Sequence, residues 1–490
     1  MKGRNSGQQQ KEEGPGSDRH AVVVGCSIGG MLAARVLADH FDRVTVIERD
    51  RLPEGSENRP GVPHARHLHF FFKRGLMAAE ELFPGVTADL LAAGSHLLDQ
   101  GKDFRILYRS GWSPRKKIGL ELCTFTRPLL EATMRNHLLR NPKVTVREGF
   151  EVAGLVMDED QGRVRGVRIK PRHQDPNTPV EVETLDTELV VDTSGRGSKA
   201  PEWLEAVGFE KPEETVVDAF WGYATRIYEP AEDLQKDWKV LFVMNRPPYQ
   251  PRAGIIQPIE GNRWLVTIAG VMHDYPPTDE EGFLQFAKSL SAPELYRAIQ
   301  HAKPLSRIWG YRRTENRLRR YEKARIPQGF AALGDSVCGF NPVYGVGMTL
   351  IGLEALELGH CLRETNGRLD SRAFQKRVAK LVAGPWALTT GEDLRWPATQ
   401  GGKITAKVKL MHWYIEQVIR LIPTSEDVFH RFQEVNHMLK PPTALFHPAV
   451  LGPVLRQAFG TRKRSTVVPL PVPARKSAGS VTTTTIPIQR

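Results

Sequence analysis

The chain has 490 residues, of which 40% are hydrophobic, and this supports a sizeable globular core. Lys and Arg total 68 and Asp and Glu total 56, which gives a formal net charge of +12, and the charges are mostly interspersed. This pattern weakly favours anionic ligands and gives no argument for a nucleic-acid partner. The 4 cysteines lack CxxC spacing, and no apolar run approaches the roughly eighteen residues of a membrane span.

The two ends of the chain differ in composition from the rest. Residues 1–19 have no apolar core of the kind that a signal peptide needs, and residues 461–490 are basic and rich in Pro and Thr. We therefore expect a disordered extension at 1–19, a disordered tail at 461–490 and a cytoplasmic protein.

Residues 21–48 have the pattern of a nucleotide-binding βαβ unit, with an apolar strand, a glycine-rich turn, a helix and a second strand. Gly25 permits the tight turn, Gly30 allows helix and strand to approach, and the start of the helix faces a pyrophosphate. Glu48 ends the second strand, where a carboxylate accepts hydrogen bonds from a ribose and disfavours a 2′-phosphate. The pattern therefore predicts FAD or NAD rather than NADP. The candidate ligand residues are Gly25, Ser27, Gly29, Gly30, Glu48 and Arg49.

Two later segments repeat the order of a buried strand, an acid and a glycine-containing turn. Residues 188–191 lead into Asp192, and residues 331–333 lead into Asp335, after which the pattern becomes helical from Met348. A carboxylate beside a helix N-terminus can hold a polyol chain and a delocalised negative charge together. We expect both segments to contact the same extended ligand. Their candidate residues are Asp192, Gly195, Ser198, Asp335, Pro342, Gly345, Gly347 and Met348.

Two arginines between these motifs are candidate ligands for phosphate or flavin. Arg59 stands before a turn, and Arg127 opens a helix that Thr126 is expected to cap; a surface role for Arg127 stays open. Three histidines follow Arg59, and their spacing matches no common metal site, so we expect no metal. They are His64, His67 and His69.

Residues 215–270 are rich in aromatic and β-branched residues, which favours an antiparallel sheet with one face covering a pocket. The same aromatic residues are equally suited to form the core of that sheet. The candidates for the pocket are Phe220, Trp221, Tyr223, Phe242 and Trp264.

Two further segments leave alternatives open. The basic run at 312–320 favours a solvated face over a phosphate site. The amphipathic segment at 407–422, KVKLMHWYIEQVIRLI, favours packing on the domain over peripheral membrane contact.

Four phrases carry a resemblance to a known family: RPGVPHARHLH, VVDTSGRGS, VVDAFWGYATRIY and GDSVCGFNPVYGVGMT. With the three strand-to-turn junctions in this order, the chain resembles FAD-dependent monooxygenases of the para-hydroxybenzoate hydroxylase fold. Within that class it is most similar to bacterial polyether-type and squalene-type epoxidases and hydroxylases. The resemblance covers about residues 21–361.

Pattern and resemblance together predict the α/β class, with an FAD/NAD(P)-binding Rossmann-like domain, an inserted antiparallel β-sheet substrate domain and a C-terminal helical region. The expected ranges are 20–205 and 325–365 for the FAD-binding domain, 206–324 for the substrate domain and 366–460 for the helical region.

The resemblance also implies roles along an extended FAD. Gly25, Ser27, Gly30 and Glu48 would hold the ADP half, Arg59, Arg127 and the turn 192–198 would support the flavin and pyrophosphate, Asp335 would bind the ribityl chain, and Gly347 and Met348 would lie by the pyrimidine ring.

The implied reaction inserts one oxygen atom from O2 into a hydrophobic organic substrate, by epoxidation or hydroxylation, through a flavin C4a-hydroperoxide. NADH, NADPH or a separate flavin reductase would supply the electrons, and such enzymes serve secondary metabolism. We assign no catalytic side chain, because this chemistry requires no protein nucleophile.

Three other functions compete with this one. An FAD-dependent reductase of isoprenoid double bonds, resembling geranylgeranyl reductase, is the main alternative because DTSGRGS is also close to the turn of that group. A flavin-dependent halogenase would share the junctions, but its WxWxIP signature is absent from the sequence. A non-catalytic flavin-binding protein is the third alternative.

Overall fold

The computed structural model describes residues 18–172, 181–232 and 234–459. The predicted extensions 1–19 and 461–490 lie outside these residues, apart from Asp18 and Arg19, so their disorder stays a prediction. The strands are β1 (His20–Val24), β2 (Arg43–Glu48), β3 (Phe70–Phe71), β4 (His96–Asp99), β5 (Phe104–Tyr108), β6 (Gly111–Trp112), β7 (Glu121–Thr124), β8 (Val144–Glu148), β9 (Phe150–Met157), β10 (Val164–Pro171), β11 (Glu183–Asp186), β12 (Leu189–Asp192), β13 (Glu214–Val217), β14 (Gly222–Glu229), β15 (Val240–Val243), β16 (Arg252–Ile259), β17 (Arg263–Gly270), β18 (Lys303–Pro304), β19 (Trp309–Tyr311), β20 (Asn316–Arg319), β21 (Phe330–Ala332) and β22 (Cys338–Gly339). The helices are α1 (Ile28–Leu37), α2 (Lys73–Leu82), α3 (Val86–Ala92), α4 (Arg127–Leu139), α5 (Ala200–Ala206), α6 (Glu280–Lys288), α7 (Glu294–Ile299), α8 (Gly347–Glu364), α9 (Ser371–Asp393), α10 (Ala406–Leu421), α11 (Glu426–Asn436) and α12 (Pro448–Phe459).

A five-stranded parallel sheet contains the predicted nucleotide-binding βαβ unit, in the order β21-β12-β1-β2-β8. Every residue of β1 is buried, as a central strand covered on both faces requires. The strands β21, β12 and β1 are neighbours, and each runs into one of the three predicted glycine-containing turns. Because the carboxyl ends of parallel strands lie at one edge of the sheet, the three turns lie side by side.

The sequence predicts strands of one small inserted sheet at 144–146, 151–156 and 164–169, and the structure differs from this prediction at one of them. Strands β9, β10 and β11 form a three-stranded antiparallel sheet, and the predictions at 151–156 and 164–169 are confirmed. The segment 144–146, predicted in the same sheet, instead belongs to β8, which pairs with β2 at the edge of the parallel sheet. The sequence pattern of a strand as short as β8 does not reveal which other strand it will pair with.

The second large sheet has eight strands, in the order β18-β14-β17-β16-β15-β5-β6, with β19 also pairing β14. Its centre is antiparallel, as predicted, but β5 joins β15 in parallel and brings β6 with it. Residues 104–112 therefore extend the substrate sheet from within the range 20–205 predicted for the FAD-binding domain. This pairing joins segments far apart in the chain, and no local pattern signals it.

The C-terminal helices pack on this second sheet. Tyr414, Val418 and Phe429 share a buried apolar cluster with Phe104 and Val240 of strands β5 and β15. The prediction that the amphipathic segment packs on the domain is thus confirmed, although Leu410 and Trp413 of α10 remain exposed. In the described part of the chain, no helix is both long and apolar enough to cross a membrane.

Candidate cofactor and substrate cavity

One cavity of about 1560 Å³ opens along the carboxyl edge of the parallel sheet and continues to the aromatic face of the second sheet. All three glycine-containing turns reach its wall, through Gly29, Gly195 and Gly347. Pockets for drug-sized ligands are typically about 300–1,000 Å³, so this volume fits an extended dinucleotide together with a second molecule. The predicted site residues in its wall are Ser27, Gly29, Arg49, Arg127, Gly195, Trp221, Tyr223, Phe242, Asp335, Pro342, Gly345, Gly347 and Met348.

The turn between β1 and α1 has the geometry predicted from its glycines. Gly25 has a φ of +96°, and a Cβ at Gly30 would lie 1.7 Å from the carbonyl oxygen of Gly25. Helix α1 therefore starts in direct contact with the turn, and Gly30 lies behind the cavity wall rather than in it. The Ser27 hydroxyl donates to Glu131, at 2.7 Å, and accepts from Arg127, at 2.9 Å.

Helices α1 and α8 both begin at the cavity, and neither has a side-chain cap. Helices α4, α9 and α10, by contrast, each begin at a Thr or Asp whose side chain accepts a backbone N–H, including the predicted cap Thr126. The first N–H groups of a helix have no partner within the helix and attract anions. The wall thus carries such an N-terminus at the first turn and another at the third.

Arg59 lies beneath the first turn and not in the cavity wall. Its guanidinium pairs with Glu48, Asp50 and Glu131 at 3.1, 3.2 and 3.3 Å, and it is 5% exposed. Burial would raise the pKa of Glu131, but the guanidinium groups of Arg127 and Arg59 hold that pKa below its ordinary value. Arg59 therefore belongs to an internal ion cluster, and its contact with phosphate or flavin stays a prediction.

Glu48 takes part in the same cluster. Its carboxylate accepts the backbone N–H groups of Cys26 and Asp50, at 2.8 and 2.9 Å, and it is almost fully buried. Its place at the end of β2 agrees with the prediction, while its role toward a ribose stays a prediction. Arg49, the next residue, does reach the cavity.

The second turn separates residues that hold it from residues that line the cavity. The Asp192 carboxylate accepts hydrogen bonds from Ser194 and Ser198 and is fully buried, so neither Asp192 nor Ser198 faces the cavity as predicted. Gly195, with a φ of +84°, and Arg196 line it instead. Arg196 pairs with Asp335 at 3.5 Å and so connects the second turn to the third. Its position between two glycines was the signal that sequence reasoning passed over.

The third turn brings Asp335, Gly347 and Met348 together. A Cβ on Gly347 would lie 3.9 Å from the Asp335 carboxylate, and helix α8 begins at Gly347, as predicted to within one residue. Enclosure in the cavity raises the pKa of Asp335, although Arg196 and Arg127 draw it downward. Arg127 also donates to the Met348 sulfur at 3.1 Å, which ties the first turn to the third.

The aromatic residues of the second sheet divide between its two faces. Trp221, Tyr223 and Phe242 line the cavity, whereas Trp264 packs on Trp238 in the core behind the sheet, with ring centroids 5.7 Å apart. Phe220 has a φ of +58° and stacks on His273, outside the cavity wall. The pocket roles predicted for Trp264 and Phe220 are therefore not supported. Alternate residues of a strand point to opposite faces, and Trp264 pairs with Tyr228, which lies on the other face from Tyr223.

Three histidines and Tyr311 form a group that sequence reasoning left without a role. His64, His67 and His69 all line the cavity, and the His67 ring contacts the Tyr311 ring with centroids 5.5 Å apart. Burial lowers the pKa of His64 to about 3 and that of His67 to about 4, with nearby arginines adding to the effect. These imidazoles are neutral near pH 7. In the described residues, no group of three or more His, Cys, Asp or Glu side chains is arranged to hold a metal.

The basic run at 312–320 is less solvated than predicted. Arg319 is buried and donates to the carbonyl of Ser336, while Arg313 and Arg317 line the cavity. The C-terminal helices also contribute wall residues that the sequence did not single out. Among them are Leu388, Ile415, Ile419 and Phe432.

Comparison with known proteins places the chain in a family. No family model matches it. Protein Rv3254 of Mycobacterium tuberculosis is 32% identical to it over 383 residues, which make up 76% of this chain and 80% of that protein. The chain belongs to the family of this mycobacterial protein.

Solved structures of flavin-dependent proteins share its fold. A flavoprotein/dehydrogenase from Cytophaga hutchinsonii has a TM-score of 0.61 at 14% identity, covering 88% of this chain and 95% of that one. The flavin-dependent brominase Bmp2 has 0.58 at 12%, covering 82% and 93%. PqsL from Pseudomonas aeruginosa, a probable FAD-dependent monooxygenase, has 0.53 at 15%, covering 86% and 100%. The predicted fold, that of the FAD-dependent monooxygenases, is confirmed, while the closer similarity to squalene-type epoxidases stays a prediction.

Proposed function

We propose that the protein is an FAD-dependent monooxygenase that transfers one oxygen atom from O2 to a hydrophobic organic substrate, by epoxidation or hydroxylation. The observation that carries the proposal is the continuity of one cavity from three glycine-containing turns to an apolar wall. The fold shared with flavin-dependent brominases and monooxygenases supports it.

The cavity wall fits FAD in charge and shape. The uncapped N-terminus of α1 beside Gly29 suits a pyrophosphate, and the Asp335 carboxylate suits the hydroxyls of a ribityl chain. The uncapped N-terminus of α8 at Gly347 suits the negative charge of a reduced flavin ring. When bound, FAD would supply the reaction with O2, which protein side chains do not provide.

The protein's own contribution is to bind, orient and exclude water. The cavity has two halves, one along the three glycine-containing turns and the other along the aromatic face of the second sheet. The second half has an apolar wall that includes Phe242, Leu388 and Ile415, which favours a hydrophobic substrate. The neutral imidazoles of His64 and His67 add no charge at the boundary between the halves. We assign no side chain as a nucleophile.

The test uses the purified protein loaded with FAD. Oxidation of NADH and of NADPH is followed over a panel of polyenes and phenols, with isotopically labelled O2 and mass spectrometry of the product. The proposal predicts one labelled oxygen atom in the product. A reduced double bond without O2 uptake would instead support the isoprenoid reductase, and oxidation that starts only after a flavin reductase is added would assign the electron supply to a separate protein.

A further inference from the structure

The buried carboxylate of Asp393 receives hydrogen bonds from both halves of the cavity. Its Oδ1 accepts from the Trp221 indole N–H at 3.0 Å and from the Tyr344 hydroxyl at 2.6 Å, and its Oδ2 accepts from the Asn316 amide at 2.6 Å. Trp221 belongs to the aromatic wall, and Tyr344 belongs to the loop 341–345 that precedes α8. Asp393 is 1% exposed, and the residues of the cavity wall do not include it.

The same loop is held at two further points. The side-chain amide oxygen of Asn316, Oδ1, accepts the backbone N–H of Asn341 at 2.9 Å, so the Asn316 side chain relays the contact of Asp393 to the start of the loop. The Tyr223 hydroxyl donates to the Asn341 side chain and accepts the backbone N–H of Val343 at 2.9 Å. Loop 341–345 is thus positioned from the aromatic sheet, from β20 and from the end of α9.

The carboxylate has no role in stabilising its own helix. Asp393 is the last residue of α9, where the aligned peptide dipoles place partial negative charge and disfavour an anion. Burial raises the pKa of Asp393 to about 6, so the ionised form is costly as well. Three donors from outside the helix offset these costs, and all three lie on segments that build the cavity.

We propose that Asp393 is a positioning residue that couples the substrate wall to the cofactor loop, by fixing loop 341–345 against Trp221. The inference rests on the proposed function in one respect, namely that the loop binds FAD. The contacts of Asp393 are present without a ligand. It predicts that loss of the carboxylate loosens the loop in the apoprotein and weakens FAD binding, although Asp393 lines neither half.

The experiment measures amide hydrogen exchange of peptides covering 338–348 in the apoprotein, together with the FAD dissociation constant by fluorescence. Asp393→Asn places an amide where Tyr344 or Asn316 donates, and we expect exchange at 341–345 and the dissociation constant each to rise about tenfold. Tyr344→Phe keeps the ring and removes only the hydroxyl that donates to Asp393 from the loop. We expect exchange at 341–345 and the FAD dissociation constant each to rise about threefold. Because the two residues act together, the double variant should match Asp393→Asn rather than the product of both effects.

Asp99→Asn is the matched control. Asp99 is also a buried carboxylate, and it accepts the backbone N–H groups of Gly101, Lys102 and Gly119, away from the loop. It should lower the melting temperature and leave exchange at 341–345 unchanged. The proposal is overturned if neither Asp393→Asn nor Tyr344→Phe changes that exchange more than Asp99→Asn does. A protein that binds no FAD but shows the predicted exchange would refute the proposed function and retain the positioning role.

Discussion

The two halves of the cavity are built in different ways. The half that we propose binds FAD, called the cofactor half, comes from three short continuous segments, 25–30, 193–197 and 334–348, at the ends of adjacent parallel strands. The substrate half comes from single side chains on distant elements, such as Phe104 on β5 and Ile415 on α10. The first half depends on backbone geometry and charge, and the second depends on side-chain volume. Substitutions in the two halves should therefore fail in different ways.

The largest effect is expected from the ion cluster under the cofactor half. Arg59→Met leaves Glu48, Asp50 and Glu131 buried together without their shared cation. The free energy of unfolding should fall by about 3–5 kcal/mol, measured by urea denaturation. Adding Glu48→Gln should recover part of the loss, because Glu131 still pairs with Arg127 and Asp50 with Arg172, whereas Glu48, within the described residues, is ion-paired with Arg59 alone.

The control for this prediction is Arg35→Met. Arg35, in the last turn of α1, makes a surface pair with Asp39, just past the end of that helix, and exposed pairs of this kind contribute less than about 1 kcal/mol. If Arg59→Met were no more destabilising than Arg35→Met, the cluster would not support the first turn.

Backbone contact in the first turn predicts the next largest effect. Gly30→Ala would place a Cβ 1.7 Å from the backbone oxygen of Gly25, which no rotamer can relieve. Its cost should be about 3 kcal/mol in thermal unfolding, at the upper end for overpacking. The Cβ of Gly29→Ala would meet side chains rather than backbone, Ile351 at 3.1 Å and Thr193 at 3.6 Å, and this substitution should cost about 1 kcal/mol. Equal costs at the two positions would contradict the close contact between α1 and the turn.

The buried His67, at the boundary between the two halves, should make the free energy of unfolding depend on pH. Burial lowers the pKa of His67 from 6.5 to about 4, so between these values the unfolded chain binds a proton that the folded chain does not. Stability from His67 is therefore lost as the pH falls from 6.5 toward 4, at about 1.4 kcal/mol per pH unit. His67→Gln should remove that slope in urea titrations at pH 5 and 6.5. An unchanged slope would show that His67 is not held neutral.

The smallest effect on the reaction belongs to the substrate half and should appear in the KM rather than in FAD binding. Phe242→Ala removes apolar wall, so the KM for a hydrophobic substrate should rise about tenfold while the FAD dissociation constant changes less than twofold. Trp264→Phe, in the core behind the same sheet, should lower the melting temperature and leave that KM unchanged. A rise in KM for Trp264→Phe would mean that the two faces of the sheet have been assigned incorrectly.

What the sequence could predict follows the same division. The turn after β1 and the start of α8 were predicted because glycine, strand and helix signals there are local. The pairing of β5 with β15 and the wall residues of α9 and α10 depend on packing between distant segments, which no local signal records. The face of Trp264 could not be predicted, since alternation assigns faces within one strand and the register of Trp264 opposite Tyr228 depends on how β17 pairs with β14. The binding of the Asp192 carboxylate to its own turn could not be predicted either, because a carboxylate at the end of a strand can bind its own turn as readily as a ligand.

The most direct test of the account is a crystal structure of the protein with FAD bound. It should show one FAD along the cavity, with the pyrophosphate at the first turn of α1 beside Gly29 and the flavin ring beside Gly347 and Met348. The apolar wall at Phe242 should remain open to a second molecule. FAD density elsewhere on the protein, or none at saturating FAD, would contradict the shared cavity on which the proposed function depends.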